Sequence, residues 1–468
     1  MSSVITKPPQ SLGSGLAGLG DAPAVSQTDS GSDPFSSLRF ISVTPDCVQV
    51  ASGANSLVYR VSVVRREPLH KGKPFTYIAK VAKPHPDVLK ATPALAQRCA
   101  DESLIYEARA LQRFNPRLLL EKMDLANFTN LHERREDGTC QKLTGSRVVL
   151  LMPDYGDMTL ARRLDPDQKP LTPLETTKIL HSVCSALGSI HGLGGIHGDV
   201  KADNVMLPGP HDMSLAQLVD YGTVHIGDRT KNKSILGHKG PRVISSATIR
   251  APEVWRDMPL KATDPLPGER NPDGNFSLSP YSAKADIWSF GTLGYRMLTH
   301  THFIQPTNDS VVALYSLSRK LGDPPPEYSE VPRWAPYFET SADGVSVSLR
   351  PPTDPLFSRH PKLQSSIATL YCRSPHVGVL RKRIERASRK TLQKSKQQQL
   401  EVLAQAAIEP NLVWNPDRRP DAAALARRLK LLVSSMGTPP SPSRLKKMTS
   451  PDPFKGGPSG KLTSCIRS

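Results

Sequence analysis

A chain of 468 residues, 38% hydrophobic and 22% charged, has material for a large core, and its 44 prolines exceed what one compact domain uses. The net charge of +18 favours acidic or anionic partners and excludes no fold. The six cysteines (Cys47, Cys99, Cys140, Cys184, Cys372 and Cys465) form no CxxC pair, which argues against a zinc site and a disulfide framework and for a reducing compartment.

Residues 1–37 are rich in Ser, Gly, Ala and Pro, cannot bury enough surface to offset chain entropy, and are expected to be a disordered tail. The stretches RFISV, VQVAS, LVYRVSVV and FTYIAKVA are β-branched and aromatic with partial alternation, and read as strands. EPLHKGKP, with Gly72 and Pro74, connects the last two. DESLIYEARALQRF is helical, with Leu104, Glu107 or Ala108, Leu111 and Phe114 on one face. GSRVVLLMPDYG is a further buried strand, and after residue 158 the pattern turns mainly helical. Residues 435–468 read as a second, basic disordered tail. Strands with one helix, followed by a larger helical part, predict an α+β architecture of two lobes, 38–152 and 153–434, with an insertion near 340–400 in the second.

No apolar run approaches the ~20 residues that span a bilayer. The first residues lack the basic-then-apolar order of a secretory signal. Cys465 stands fourth from the end, but Arg467 fills a position that prenylation reserves for an aliphatic residue, so no lipid is expected. A soluble intracellular protein, nuclear or cytoplasmic, and a monomer, is expected.

Phosphoryl transfer needs a cationic grip on phosphates, oxygen ligands for magnesium and a carboxylate beside the attacking hydroxyl. Lys80 ends an apolar strand, where a lysine needs a partner. Glu107 shares the inward helical stripe with Leu104 and Leu111. Its rival Glu102 lies about 140° away around the helix, so both cannot face one site. In HGDVKADN, Asp199 can accept the substrate proton, Lys201 can steady the transferring group and Asn204 can bind a metal ion. VDYG then delivers Asp220 as a second metal-ligand candidate.

His197 to Asn204 resembles the HRDxKxxN catalytic loop of eukaryotic-type protein kinases, Asp220-Tyr221-Gly222 their DFG motif and Ala251-Pro252-Glu253 their APE motif. ADIWSFG resembles the DxWSxG helix, whose Asp286 would brace the catalytic loop, and NPDRRP the late motif whose Arg419 would pair with Glu253. The resemblance runs from about residue 45 to 433. It implies a two-lobed fold, ATP between the lobes under residues 50–58, magnesium held by Asn204 and Asp220, and protein hydroxyls as acceptors. Lys80, oriented by Glu107, would hold the α/β-phosphates. Lys201 and Ser246 favour the serine/threonine class. The segment LLMPDYGDMTL after Leu150 is similar to large-DNA-virus kinases of the herpesvirus type.

Three departures stand out. Where the family's nucleotide loop reads GxGxxGxV, this chain has Ala51, Gly53, Ser56 and Val58, which weakens the grip on phosphate. Gly198 replaces the arginine that pairs with a phosphorylated activation loop in many kinases, so activity is expected not to depend on Thr230, Ser234 or Ser245 hydroxyls. Tyr221 replaces phenylalanine and adds a hydroxyl needing a partner. The alternative is a catalytically weak scaffold that recruits partners or nucleic acid through basic segments. The segment 381–396, basic and without interleaved aromatics, reads first as a solvated helix face, so nucleic acid is not the favoured partner. PPEY at 325–328 reads as part of the resembled fold, not as a WW-domain ligand. The basic activation segment suits acidic substrates, whereas Asp157 matches a position that reads a basic residue, and the two hints conflict. Thr438, Ser441 and Ser450 precede prolines as candidate phosphosites.

Overall fold

The computed structural model describes residues 41–52, 56–65, 75–83, 92–112, 119–124, 132–134, 140–142, 146–207, 213, 216–226, 245–257, 282–307, 309–332, 334–341, 347–358, 361–371 and 394–437. Gly53, Thr230, Ser234, the N-terminal tail, residues 381–393 and the tail phosphosites lie outside them. The chain divides into two compact units, residues 1–83 with 119–152 and residues 84–118 with 153–468.

The first unit is built on strands β1 (Ile41–Ser52), β2 (Ser56–Arg65) and β3 (Phe75–Ala82). Helix α1 (Pro93–Gln112) follows in sequence and groups with the second unit. Strands β4 (Leu119–Asp124), β5 (His132–Arg134), β6 (Cys140–Lys142) and β7 (Ser146–Pro153) return to the first. Its five-stranded sheet has the order β1-β2-β3-β7-β4. Alternation explains it: Leu57, Tyr59 and Val61 are buried on β2 and Ala79 and Val81 on β3, as one core-facing row of a pleated strand. The two strands expected at RFISV and VQVAS are one strand. β1 absorbs Pro45, which has no N–H to give, through a register shift between Val43 and Cys47.

In the second unit β8 (Met158–Thr159) leads to a short α2 (Leu160–Arg163) and to α3 (Pro173–Gly192). A capping box opens α3: Thr172 Oγ1 accepts from the Glu175 N–H at 3.2 Å, and the Glu175 carboxylate accepts from the Thr172 N–H at 2.7 Å. Short strands β9 (Gly195–Ile196), β10 (Val205–Leu207), β11 (Gln217–Leu218) and β12 (His225–Ile226) come next. Helices α4 (Pro252–Asp257), α5 (Ala283–Thr299) and α6 (Ser310–Leu321) follow. Then β13 (Phe338–Thr340) and β14 (Val347–Leu349) pair antiparallel before α7 (Pro355–Ser358) and α8 (Pro361–Tyr371). Helices α9 (Lys394–Ala407) and α10 (Ala422–Gly437) close the unit.

Its main core gathers Ile179, Val183, Leu187, Trp288, Phe290 and Leu425 from α3, α5 and α10. Cys184, wholly buried there, has its thiol pushed up to about 12 by burial and is not a nucleophile. A second cluster around Trp334, Tyr315 and Phe357 joins α6 to the residues that follow it, and Trp334 Nε1 donates to the Arg256 carbonyl at 2.8 Å. Helices and small antiparallel sheets make the chain α+β. Among the described residues no helix is long and apolar enough to cross a membrane.

Candidate functional site

The loop 197–201 lies between β9 and a 3-10 turn at Ala202–Asn204, and is anchored by the buried side chains of Val200, Ala202 and Val205. Asp286, in the first turn of α5 and almost wholly buried, holds its start. Asp286 Oδ2 accepts from the His197 N–H at 2.7 Å, and Oδ1 from the Gly198 N–H at 2.8 Å. His191 Nε2, from the end of α3, lies 2.9 Å from Oδ2. Burial alone would raise the Asp286 carboxyl, but His191 and the Gly198 N–H hold it below the usual carboxylate range. Gly198 has φ 82°, a left-handed backbone that glycine takes without strain.

Burial keeps His197 below its ordinary value of 6.5, against the opposing pull of Asp286, so its ring is neutral. Nδ1 accepts from the Asp199 N–H at 3.3 Å, which places the ring proton on Nε2. The ring lies 5.2 Å from that of Tyr221. Burial pushes the Tyr221 phenol up to about 12, with Tyr155 adding to it, so the extra hydroxyl stays protonated.

Asp199, six per cent exposed, is the most densely bonded carboxylate of the loop. Lys201 Nζ lies 2.6 Å from Oδ2, and Asn204 Nδ2 donates to the same oxygen at 3.1 Å and to the Asp199 carbonyl at 2.9 Å. Oδ1 accepts from the Ser246 N–H at 3.2 Å and from Ser246 Oγ at 3.0 Å. Lys201 Nζ also donates to Ser246 Oγ at 3.1 Å. The carboxylate is thus fixed by charge and by hydrogen bonds, as a group that must meet a hydroxyl in one orientation would be.

β10 pairs with β11 through Val205–Leu218, and the Val219 N–H continues the ladder to the Asn204 carbonyl at 2.9 Å. The ladder sets Asn204 and Asp220 at the same end of adjacent strands. Asp220 has φ 61°, uncommon for a residue with a side chain. The donor set suits magnesium: a carboxylate, and an amide whose nitrogen is spent on Asp199, leaving its oxygen as a hard ligand. Among the described residues no group of three or more His, Cys, Asp or Glu could hold a metal ion, so a metal here would also draw on phosphate or water.

Glu107 is four per cent exposed, and a Cβ built on Gly222 would lie 3.4 Å from its Oε2 and 3.5 Å from Asp220 Oδ1. Its rival Glu102 is solvent-exposed and pairs with Arg98 at 3.0 Å. In the first unit, Ala51 opposes Val58 and Val58 opposes Lys80, so the three residues form one cross-strand row. Ser56 begins β2, opposite Ala82. Lys80, nine per cent exposed, belongs to this unit and Glu107 to the other. Arg419 donates to both Glu253 oxygens, at 2.7 and 2.8 Å, and its guanidinium lies 5.2 Å from the centre of the Trp288 ring.

Residues 117–343 match the family model of the protein kinase domain. Serine/threonine-protein kinase PknL of Mycobacterium bovis is 27% identical over 271 residues, 57% of this chain and 51% of that protein. Serine/threonine-protein kinase SULU of Caenorhabditis elegans is 27% identical over 267 residues, 55% of this chain and 23% of SULU. Calcium-dependent protein kinase 5 of Plasmodium berghei is 24% identical over 229 residues, 48% of this chain and 33% of that kinase. These matches support a protein kinase family. The chain spans about half the length of PknL and less of the other two.

The kinase-domain match contains Asp199, Lys201, Asn204, Asp220, Glu253 and Asp286. Ala51, Gly53, Ser56, Val58, Lys80, Glu107 and Arg419 lie outside it. The similarity to herpesvirus-type kinases finds no support in these relatives. Sequence reasoning missed His191 and Thr223, whose Oγ1 donates to the His197 carbonyl at 2.7 Å. Neither has a local signal, because each makes its contact with a partner distant in sequence.

Proposed function

We propose that the protein is a serine/threonine protein kinase that transfers the γ-phosphate of ATP to hydroxyls of protein substrates. One observation carries the reading: Asp199 is a buried carboxylate, fixed on both oxygens by Lys201, Asn204 and Ser246. In this role Asp199 orients the acceptor hydroxyl and takes its proton, and Lys201 steadies the transferring phosphoryl group. Asn204 and Asp220 would hold magnesium, which when bound neutralises phosphate charge. Lys80, on the row with Ala51 and Val58, would grip the α/β-phosphates, and Ser56 and Gly53 would complete the nucleotide loop. The loss of two loop glycines would raise the KM for ATP without removing the chemistry.

The test is transfer of labelled γ-phosphate with magnesium, comparing the wild type with Asp199→Asn and Lys80→Met. Incorporation that disappears in both variants supports the reading. Incorporation equal in all three proteins refutes it. No transfer by the wild type across several generic substrates turns the reading to a scaffold.

A further inference from the structure

We propose that Thr223 is a positioning residue for the catalytic loop, a hydroxyl latch that holds the His197–Gly198 peptide in one orientation. The inference rests on the kinase reading above. It comes from the two ends of one peptide unit. The Gly198 N–H donates to Asp286 Oδ1 at 2.8 Å, and the His197 carbonyl accepts from Thr223 Oγ1 at 2.7 Å. Both polar groups of that peptide are therefore occupied, by two residues that come later in the chain, 26 and 88 residues on.

This peptide needs holding because of the residue that follows it. Turning a peptide plane over changes ψ of the residue before it and φ of the residue after it in opposite senses. Gly198 sits at φ 82°, and glycine populates positive and negative φ about equally well. A side chain at 198 would restrict those alternatives by sterics; glycine does not. The flipped peptide would point its N–H away from Asp286 and so release the anchor at the start of the loop that carries Asp199. A donor on the carbonyl opposes that flip directly.

Thr223 is well placed to supply it. β9 pairs with β12, His225 opposite Ile196 and Ile226 opposite Gly195, so the strand after Thr223 lies along the strand before His197. A turn closed by the Val224 N–H on the Tyr221 carbonyl, at 3.0 Å, sets the hydroxyl between them. The latch also joins the loop that carries Asp199 to the one that carries Asp220, three residues before Thr223. One hydroxyl thereby couples the candidate base to the candidate metal ligand.

The test uses the full-length chain with Thr223→Val, which keeps the shape and removes the donor, and Thr223→Ser, which restores the donor. Kinetics and amide exchange over residues 195–200 are both read, with Asp199→Asn as the inactive control. Losing one net hydrogen bond predicts a fall in kcat of about fivefold for Thr223→Val, with KM for protein substrate unchanged. Exchange at Gly198 should quicken, and Thr223→Ser should restore both. If Thr223→Val does not fold, Thr223→Ala gives the same comparison. Wild-type kcat and exchange in the donor-less variant overturn the latch while leaving the kinase reading intact. Equal impairment in Thr223→Ser also overturns it, because the hydroxyl is then not the cause. If the wild type transfers no phosphate, the kinase reading fails and the exchange data alone decide whether the latch exists.

Discussion

Replacing Asp286 with asparagine should cost the second unit about 3–5 kcal/mol and most of its phosphate transfer. The magnitude follows from the partners. Asp286 accepts two backbone N–H groups, one on each oxygen, and faces His191 Nε2 as well. Asparagine keeps one acceptor oxygen and turns an NH2 group toward one of those N–H donors. A buried N–H left without an acceptor costs about 1–3 kcal/mol, and the surviving bonds lose the ~1 kcal/mol advantage of a charged partner. That is a large share of the roughly 5–15 kcal/mol by which a domain is stable. The four tryptophans, Trp255, Trp288, Trp334 and Trp414, all belong to the second unit, so their fluorescence in a urea titration follows that unit alone. A midpoint shift worth less than about 0.5 kcal/mol, or wild-type transfer by Asp286→Asn, would refute the reasoning.

Arg419→Met leaves the buried Glu253 carboxylate without its bidentate partner and should destabilise the second unit by about 3–5 kcal/mol in the same titration. A shift below about 1 kcal/mol would mean water reaches Glu253. The third expectation concerns pH. His197 is held below its ordinary 6.5 by burial, so below that pH the unfolded chain binds a proton that the folded chain refuses. Stability is then lost as pH falls below 6.5, at up to about 1.4 kcal/mol per pH unit for one proton. Burial lowers His181 and His302 too, so the comparison that isolates His197 is the pH dependence of the urea midpoint in His197→Asn. An unchanged slope between pH 5 and 6.5 would rule the histidine out.

The strands and the order of the chemistry-bearing residues were legible because each is written locally. Alternation marks β2 and β3, and Asp199, Lys201 and Asn204 stand within six residues. Boundaries were less so. The helix predicted from Asp101 begins at Pro93, because Pro93 needs no N–H at a helix start and the Thr92 carbonyl accepts from the Ala96 N–H. The last helix runs on to Gly437, past the boundary expected at 434. Strand β4 lies between signals too polar to stand out, with Glu121, Lys122 and Asp124 in six residues. The choice of Glu107 over Glu102 was legible from periodicity, because Glu107 shares a helical stripe with apolar Leu104, and the two are buried together while Glu102 is exposed. What no local pattern encodes is a hydrogen bond across the fold, such as Thr223 to His197 over twenty-six residues or His191 to Asp286 over ninety-five.

Gly198 shows how a local reading can be sound and incomplete. On the sequence it is a loss, an arginine missing from a loop that usually pairs with phosphate. On the backbone it is also a relief, because at φ 82° any other residue would carry strain of about 1–2 kcal/mol. Relief of strain frees the loop, and freedom is what a positioned base cannot have. The contacts around it answer that demand: Asp286 takes the N–H groups on either side of the His197 ring, Thr223 takes the carbonyl, and Ser246 and Lys201 take the carboxylate that follows. Order that a phosphorylated activation loop would lend from outside is here supplied by side chains of the unit itself. A loop arranged in this way predicts that labelled phosphate transfer is unchanged in Thr230→Ala, Ser234→Ala and Ser245→Ala, and loss of transfer in these variants would refute it.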